Sequence, residues 1–111
     1  MEKYENPLLQ PEERAADLIQ RMTLKEKISQ LGCALLVKNE KEDVKEKVKT
    51  GLGSVAVMDA GNTPEEASEM LNEIQKEAVK HSRFHIPVLF HAEALTGPLV
   101  PETATFPLPL T

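Results

Sequence analysis

The feature that most constrains the fold is a strand–helix–strand pattern between residues 51 and 91. The segment "GLGSVAVM" is bounded by glycine and rich in apolar residues, which predicts a buried strand near 53–58. Residues 63–81 carry a single apolar face and begin with a capping box and an early proline, which predicts a helix. The segment "IPVLFH" then predicts a second buried strand over 86–91.

This pattern is typical of a βαβ crossover, in which the two strands lie parallel and the connection is right-handed. Strands without polar alternation favour a parallel sheet covered by helices, so the predicted fold class is α/β. Ligands of such sheets bind at the carboxyl ends of the strands. His91 and Glu93 fall at that end of the second strand, which makes them candidate binding residues. Taken alone, they are better explained as a structural histidine and a solvated carboxylate.

The chain before this unit predicts an arm followed by two amphipathic helices. Residues 1–10 predict an extended arm, and a domain is expected to span 11–111. Pro11 opens the first helix, and Thr23 with Glu26 forms a capping box that opens the second. Their apolar stripes consist of Ala15, Leu18, Ile19, Met22, Leu24, Ile28 and Leu31. Each stripe is expected to pack against another element.

The segments on either side of the pattern are less regular. "CALLV" (33–37) is either a strand or a continuation of the preceding helix, and the charged segment 38–50 predicts a short surface helix. Residues 98–111 hold four of the eight prolines. Because two parallel strands do not form an independent sheet, the chain is expected to be an incomplete part of a larger fold.

Charge and composition exclude several classes of function. The formal net charge is -5, and basic residues are interspersed with acidic ones rather than grouped in a stripe, so neither a nucleic-acid partner nor a membrane-surface helix is expected. No run of apolar residues has the length of a signal peptide or of a membrane span, so the expected location is cytoplasmic.

Cysteine and histidine usage also bears on function. Cys33 is the only cysteine, and its apolar surroundings predict a small buried hydrophobic residue. Two histidines, His85 and His91, are six residues apart on a strand that alternates faces, so no metal site is expected. Met22, Met58 and Met70 are expected to fill the core. No glycine-rich phosphate loop follows a strand, so no cofactor is expected.

Several segments, in order, resemble the amino-terminal end of glycoside hydrolase family 3, the β-glucosidase and β-xylosidase group. "ERAADLIQRMTLKEKISQL" is similar to the family's opening helix pair, and "GLGSVAV" to its first barrel strand. "NEIQKEAV" and "HSRFHIPVLFHAEALTG" are similar to the next helix and strand, and "TATFPLPL" to the segment that follows. The resemblance covers roughly residues 11–110.

The resemblance implies a partial (β/α)8 TIM-barrel-like fold, of which this chain holds the first quarter or third of about 250 residues. It implies a fragment of a retaining, exo-acting β-glycosidase, with a carbohydrate as partner and with no cofactor. The family's Asp nucleophile and Glu acid/base lie further along the chain, so none of the 111 residues is expected to be catalytic and the chain alone is expected to be inactive.

One binding position of the family maps onto this chain. The pattern "H-E-E-x-x-H-G" of the xylosidase-like branch, aligned on Gly97, places Glu93 where a carboxylate binds hydroxyls of the terminal sugar, and His91 where a histidine lines the same site. Arg83 matches an arginine at the turn before the strand and is expected to be structural. The departures from the family's patterns are Ala92, Thr96, Ala104 and Leu108.

Two alternatives belong to other classes. A truncated barrel could serve as a non-catalytic interaction or assembly module that self-associates through an exposed sheet edge. A small flavodoxin-like domain is a weaker alternative, because only two segments are clear strands. The oligomeric state in solution distinguishes an assembly module from an incomplete part of a barrel.

Overall fold

A computed structural model describes residues 1–37, 39–94, 97, 102 and 104. A short 3-10 turn at Lys3–Glu5 precedes four helices and three strands. In chain order these are α1 (Pro11–Arg21), α2 (Leu24–Gln30), β1 (Cys33–Leu36), α3 (Lys41–Val48), β2 (Ser54–Val57), α4 (Pro64–His81) and β3 (Leu89–His91). No helix within these described ranges is long and apolar enough to cross a membrane.

The predicted crossover is confirmed: β2, α4 and β3 follow one another, and β2 pairs with β3 in parallel. The segment that could have been strand or helix is β1, which pairs with β2 in parallel. The sheet order is β1-β2-β3. A flavodoxin-like sheet places its first strand between the second and third. The observed order is sequential instead.

Local sequence explains where the helices begin. In α2 the predicted box forms, because Thr23 Oγ1 accepts from the Glu26 N–H at 3.2 Å and Glu26 Oε2 accepts from the Thr23 N–H at 2.7 Å. In α4 only half of the predicted box forms. Thr63 Oγ1 accepts from the Glu66 N–H at 3.1 Å. Glu66 Oε2 accepts from the N–H of Asn62 at 2.8 Å, and not from the N–H of Thr63 as a complete capping box requires.

The hydrophobic core lies on one face of the sheet, beneath α3 and α4. Its fully buried large side chains are Leu36, Val44, Val48, Val55 and Ile74. Alternate strand residues point to the opposite face, which none of the described elements covers. The described residues therefore bury these strands on one face only, and Leu35 and Leu89 are 51% and 68% exposed. Cys33, expected to be buried, is exposed on this face.

The two amino-terminal helices form as predicted, but their apolar stripes are not buried by the described residues. Leu24 and Ile28 of α2 are 74% and 59% exposed, and Leu31, just after α2, is 87% exposed. The predicted arm is not extended throughout, because Lys3–Glu5 form a 3-10 turn that packs against α1. Met58, expected in the core, is also exposed.

Candidate functional site

The carboxyl edge of the sheet is the place where the sequence predicts a binding site. β3 ends at His91, and Glu93 follows two residues later with an exposed side chain. The neighbouring strand β2 runs in the same direction, with Ala56 level with His91. Glu93 therefore lies at the predicted edge. No hydrogen bond or ion pair joins its carboxylate to another of the described residues.

His91 lies on the face of the sheet that the described helices leave uncovered. Its Nε2 atom is 3.5 Å from Cys33 Sγ, although β2 lies between their two strands. The small side chain of Ala56 leaves room for this contact. Leu35 of β1 and His91 of β3 are both paired with Ala56 of β2. Cys33 precedes Leu35 by two residues, so it lies nearer the amino edge of the sheet than His91 does. The imidazole thus reaches away from the carboxyl edge, and no hydrogen bond joins it to Glu93.

The positions that depart from the family's patterns are only partly described. Ala92 and Ala104 are exposed. Thr96 and Leu108 lie outside the described residues, as do Thr105 and Phe106. The side chain at position 92 is a methyl group, so Glu93 is the acidic side chain that this turn contributes among the described residues.

A second polar feature at this edge is the loop after β2, whose residues were not among the predicted site residues. Asp59 Oδ1 accepts from the Gly61 N–H at 3.1 Å, and the N–H of Met58 donates to the Leu36 carbonyl at 2.9 Å. Gly61 has φ 138°, and a Cβ there would lie 2.9 Å from Glu66 Cβ. The Asp-Ala-Gly sequence is the signal for this turn. The Asp59 carboxylate therefore holds the loop through one of its oxygens.

A cleft of ≈ 520 Å³ lies beside that loop, between the amino-terminal ends of α3 and α4. It is lined by Asn39, Lys41, Glu42, Asp59, Gly61, Asn62, Glu66, Glu69, Met70 and Glu73. Lys41 and Lys45 each place Nζ within 2.9 Å of Glu73 Oε2. The hydrogen bond from Lys45, followed by that from Lys41, lowers the pKa of Glu73 to about 2.

Several carboxylates of this cleft already have hydrogen-bond or ion-pair partners within the protein. Glu73 is held by two ammonium groups, Asp59 supports the Gly61 amide and Glu66 supports the Asn62 amide. These contacts join α3 to α4 and fix the β2–α4 loop. Neither His91 nor Glu93 lines the cleft. No pattern within one segment predicts this cleft, because it forms where α3 and α4 pack side by side and their ion pairs join.

Arg83 has the structural role expected from the sequence. Its Nε and one of its terminal nitrogens donate to the two Glu26 carboxylate oxygens at 2.8 and 2.7 Å, and the same terminal nitrogen donates to the Arg21 carbonyl at 3.0 Å. This paired contact fastens the α1–α2 helices to the turn after α4. The hydrogen bond from Arg83, the largest cause, lowers the pKa of Glu26 to about 2.

Together, these observations define an α/β unit of sequentially ordered parallel strands, with an exposed carboxylate at the carboxyl edge. No protein-family model matches the chain. The chain is 30% identical, over 120 residues, to a protein of Formosa agariphila named "Putative beta-xylosidase". The aligned region includes 97% of this chain but spans only 16% of that protein.

Proposed function

We propose that this chain is the amino-terminal part of a β-glycosidase barrel of the family 3 type. In the whole protein, the reaction is exo-hydrolysis of a terminal β-linked sugar, a xyloside or a glucoside, through a covalent glycosyl-enzyme. The chain contributes part of the sugar-binding subsite and not the nucleophile. A carbohydrate is thus the proposed partner.

The observation that carries the proposal is the sequential parallel order β1-β2-β3 with one face of the sheet uncovered by the described residues. A barrel wall has helices on its outer face and side chains of other strands against its inner face, so a separated wall segment exposes the inner face. The similarity to the "Putative beta-xylosidase" over 97% of the chain supports the same assignment.

Glu93 is the residue proposed to bind the sugar. It lies just beyond β3 at the carboxyl edge, where barrel enzymes bind their ligands, and no described residue holds its carboxylate. A carboxylate accepts hydrogen bonds from two sugar hydroxyls, and each such charge-assisted bond contributes about 1.5–3 kcal/mol when water is excluded. His91 is the weaker candidate, because its ring contacts Cys33 rather than the edge.

The coding sequence after codon 111 tests the proposal most directly. We expect an open frame with an Asp-Trp motif some 150–200 residues further on, a spacing that follows from the size of the barrel. A frame that continues into an unrelated fold would reject the assignment. The 111-residue chain alone should not release nitrophenol from aryl β-glycosides, and turnover above a mock preparation would show that the nucleophile lies within it.

The choice of glutamate over aspartate at position 93 predicts a preference among sugars. Glutamate is longer by one methylene, which shortens the pocket and favours pentosides such as xylosides. In the full-length protein, Glu93→Asp should shift the xyloside-to-glucoside ratio of kcat/KM towards glucoside. Glu102→Asp, at another exposed acid, is the matched control. An unchanged ratio in the Glu93 variant would reject this explanation of specificity.

A second candidate function is a non-catalytic assembly module. The exposed Leu35 and Leu89 on the uncovered sheet face favour it, as do the outer edges of β1 and β3, which pair with no described strand. Open edges of this kind pair readily with another chain. Size-exclusion chromatography with light scattering distinguishes the cases: a discrete dimer supports the module, whereas aggregation supports a separated barrel segment.

A further inference from the structure

The side-chain amide of Gln75, on α4, holds both backbone polar groups of a single residue. Its Oε1 atom accepts from the Val88 N–H at 3.0 Å, and its Nε2 atom donates to the Val88 carbonyl at 3.2 Å. Val88 lies immediately before β3 and is 3% exposed. This paired contact, the Gln75 clamp, therefore joins the crossover helix to the start of the strand that follows it.

The Gln75 clamp occupies the edge of β3 that faces away from β2. The Leu89 N–H donates to the Gly53 carbonyl at 2.9 Å, so Leu89 directs its backbone groups towards β2. Successive residues of a strand direct these groups to alternate sides, so those of Val88 point to the outer edge. No described strand pairs with β3 on that edge. The side-chain amide thus takes the place that the backbone of a neighbouring strand would have there.

The position of β3 along the sheet determines where the Glu93 carboxylate lies. The strand is short, since only Leu89–His91 pair with β2. A slip by two residues would keep the same side chains on each face and would move Glu93 by about 7 Å along the strand. The Gln75 clamp opposes such a slip, because it is made to the N–H and the carbonyl of Val88 in the observed register.

We propose that Gln75 is a positioning residue for the sugar-binding subsite. By holding Val88 it fixes the height of β3, and through β3 it fixes the place of the Glu93 carboxylate at the carboxyl edge. This inference rests on the proposed function, in which Glu93 binds the sugar. A displacement of about 1 Å in a binding group can cost up to about a hundredfold. Loss of the clamp should therefore weaken sugar binding although Glu93 itself is unchanged.

The first experiment measures kcat and KM of the full-length protein on aryl β-xyloside and β-glucoside. Gln75→Met removes both hydrogen bonds and keeps the length of the side chain. It should raise KM by about threefold or more, because a misplaced carboxylate binds the sugar less well. A purely structural role would instead lower the amount of folded enzyme and leave KM unchanged. Gln20→Met, at an exposed position of α1, is the matched control and should keep the wild-type KM.

A second variant and a double-mutant cycle test whether Gln75 acts through Glu93. Gln75→Glu loses the donor to the Val88 carbonyl, so it should also raise KM. Glu93→Gln should raise KM by itself, and adding Gln75→Met to it should change KM by less than about 1.5-fold further. The inference is overturned if Gln75→Met and Gln75→Glu both keep the wild-type KM, or if Gln75→Met has the same effect with and without Glu93.

A failure of the proposed function gives a different result. If Glu93→Gln keeps the wild-type KM, Glu93 does not bind the sugar, and the positioning role is overturned together with that assignment. If Glu93→Gln raises KM and the Gln75 variants do not, the sugar-binding role of Glu93 stands and the positioning role alone is overturned.

Hydrogen exchange of the 111-residue chain tests the Gln75 clamp without any activity. The Val88 amide should exchange about tenfold faster or more in Gln75→Met than in wild type, because its acceptor is lost. The amide of Val44, which donates to the Glu40 carbonyl in α3, is the internal control and should exchange at the same rate in both chains. Equal exchange of the Val88 amide in the two chains would overturn the inference.

Discussion

The chain contains two regions that look alike in sequence and differ in structure. The α1–α2 helices and the unit from β1 to β3 each carry apolar residues at helical or strand spacing. In the second region, Val44, Val48 and Ile74 are completely buried against the sheet. In the first, Leu24 and Leu31 are largely exposed, and Arg83 donates from the rest of the chain to the Glu26 carboxylate.

The difference shows that a periodic apolar stripe predicts which face of a helix can be buried, and not whether it is buried. Burial needs a second surface within reach. The α3 and α4 helices connect adjacent parallel strands and so pack on the sheet itself. The α1 and α2 helices precede the sheet, and their stripe lines an apolar groove of ≈ 490 Å³ together with Ile86.

The largest effect should come from truncating the core of the second region. Ile74 is 0% exposed on α4, so Ile74→Ala should lower the free energy of unfolding by about 2–5 kcal/mol, through lost burial and a residual cavity. Ile28→Ala, at a 59% exposed position on α2, is the matched control and should change it by less than about 0.5 kcal/mol. Urea titration followed by circular dichroism measures both. Equal losses would show that the α2 stripe is buried in solution.

A smaller loss in the free energy of unfolding is expected for a substitution at the contact between the two regions. A Cβ at Gly53 would lie 1.9 Å from the Gln30 carbonyl oxygen at the end of α2, so Gly53→Ala should cost about 1–3 kcal/mol by forcing the two segments apart. Lys25→Ala, at an exposed position of α2, is the control and should match wild type. If Gly53→Ala matches wild type in the same titration, the contact between the regions is not rigid.

The smallest effect concerns the ion pair that joins the regions. The pKa of Glu26 is about 2, against an ordinary value of 4.5, chiefly because Arg83 donates to its carboxylate and secondarily because of the Thr23 backbone N–H. The folded state therefore favours the charged form. This stabilisation is present above pH 4.5 and is lost as the pH falls towards about 2.

Arg83→Gln should accordingly raise the Glu26 pKa towards its ordinary value and shift the acid unfolding limb to higher pH. Carbon-13 NMR titration of the side-chain carboxyl measures the pKa. Lys45→Gln is the control, because it removes the largest cause of the low pKa of Glu73 and does not touch Glu26. A Glu26 pKa that stays near 2 in Arg83→Gln would show that the helix cap alone is responsible.

Much of the fold could be predicted from sequence because its signals are local. The Thr63-Pro64 start and the continuous stripe of α4 predict that helix, and the glycine-bounded run 51–58 predicts β2. The sequence does not decide between a strand and a helix end for β1, since a short apolar run suits both equally. The edge position of Glu93 followed from the βαβ topology, whereas its role in sugar binding stays a prediction.

The sequence by itself determined the helices, β2 and β3 with their parallel pairing, and the acid beyond β3, because capping, periodicity and crossover geometry act over a few residues or through one connection. Only the tertiary structure decided which apolar faces are covered, the contact between Cys33 and His91, and the cleft between α3 and α4. These depend on distances between residues far apart in the chain. No pattern within a single segment encodes such distances, because they arise when the segments pack.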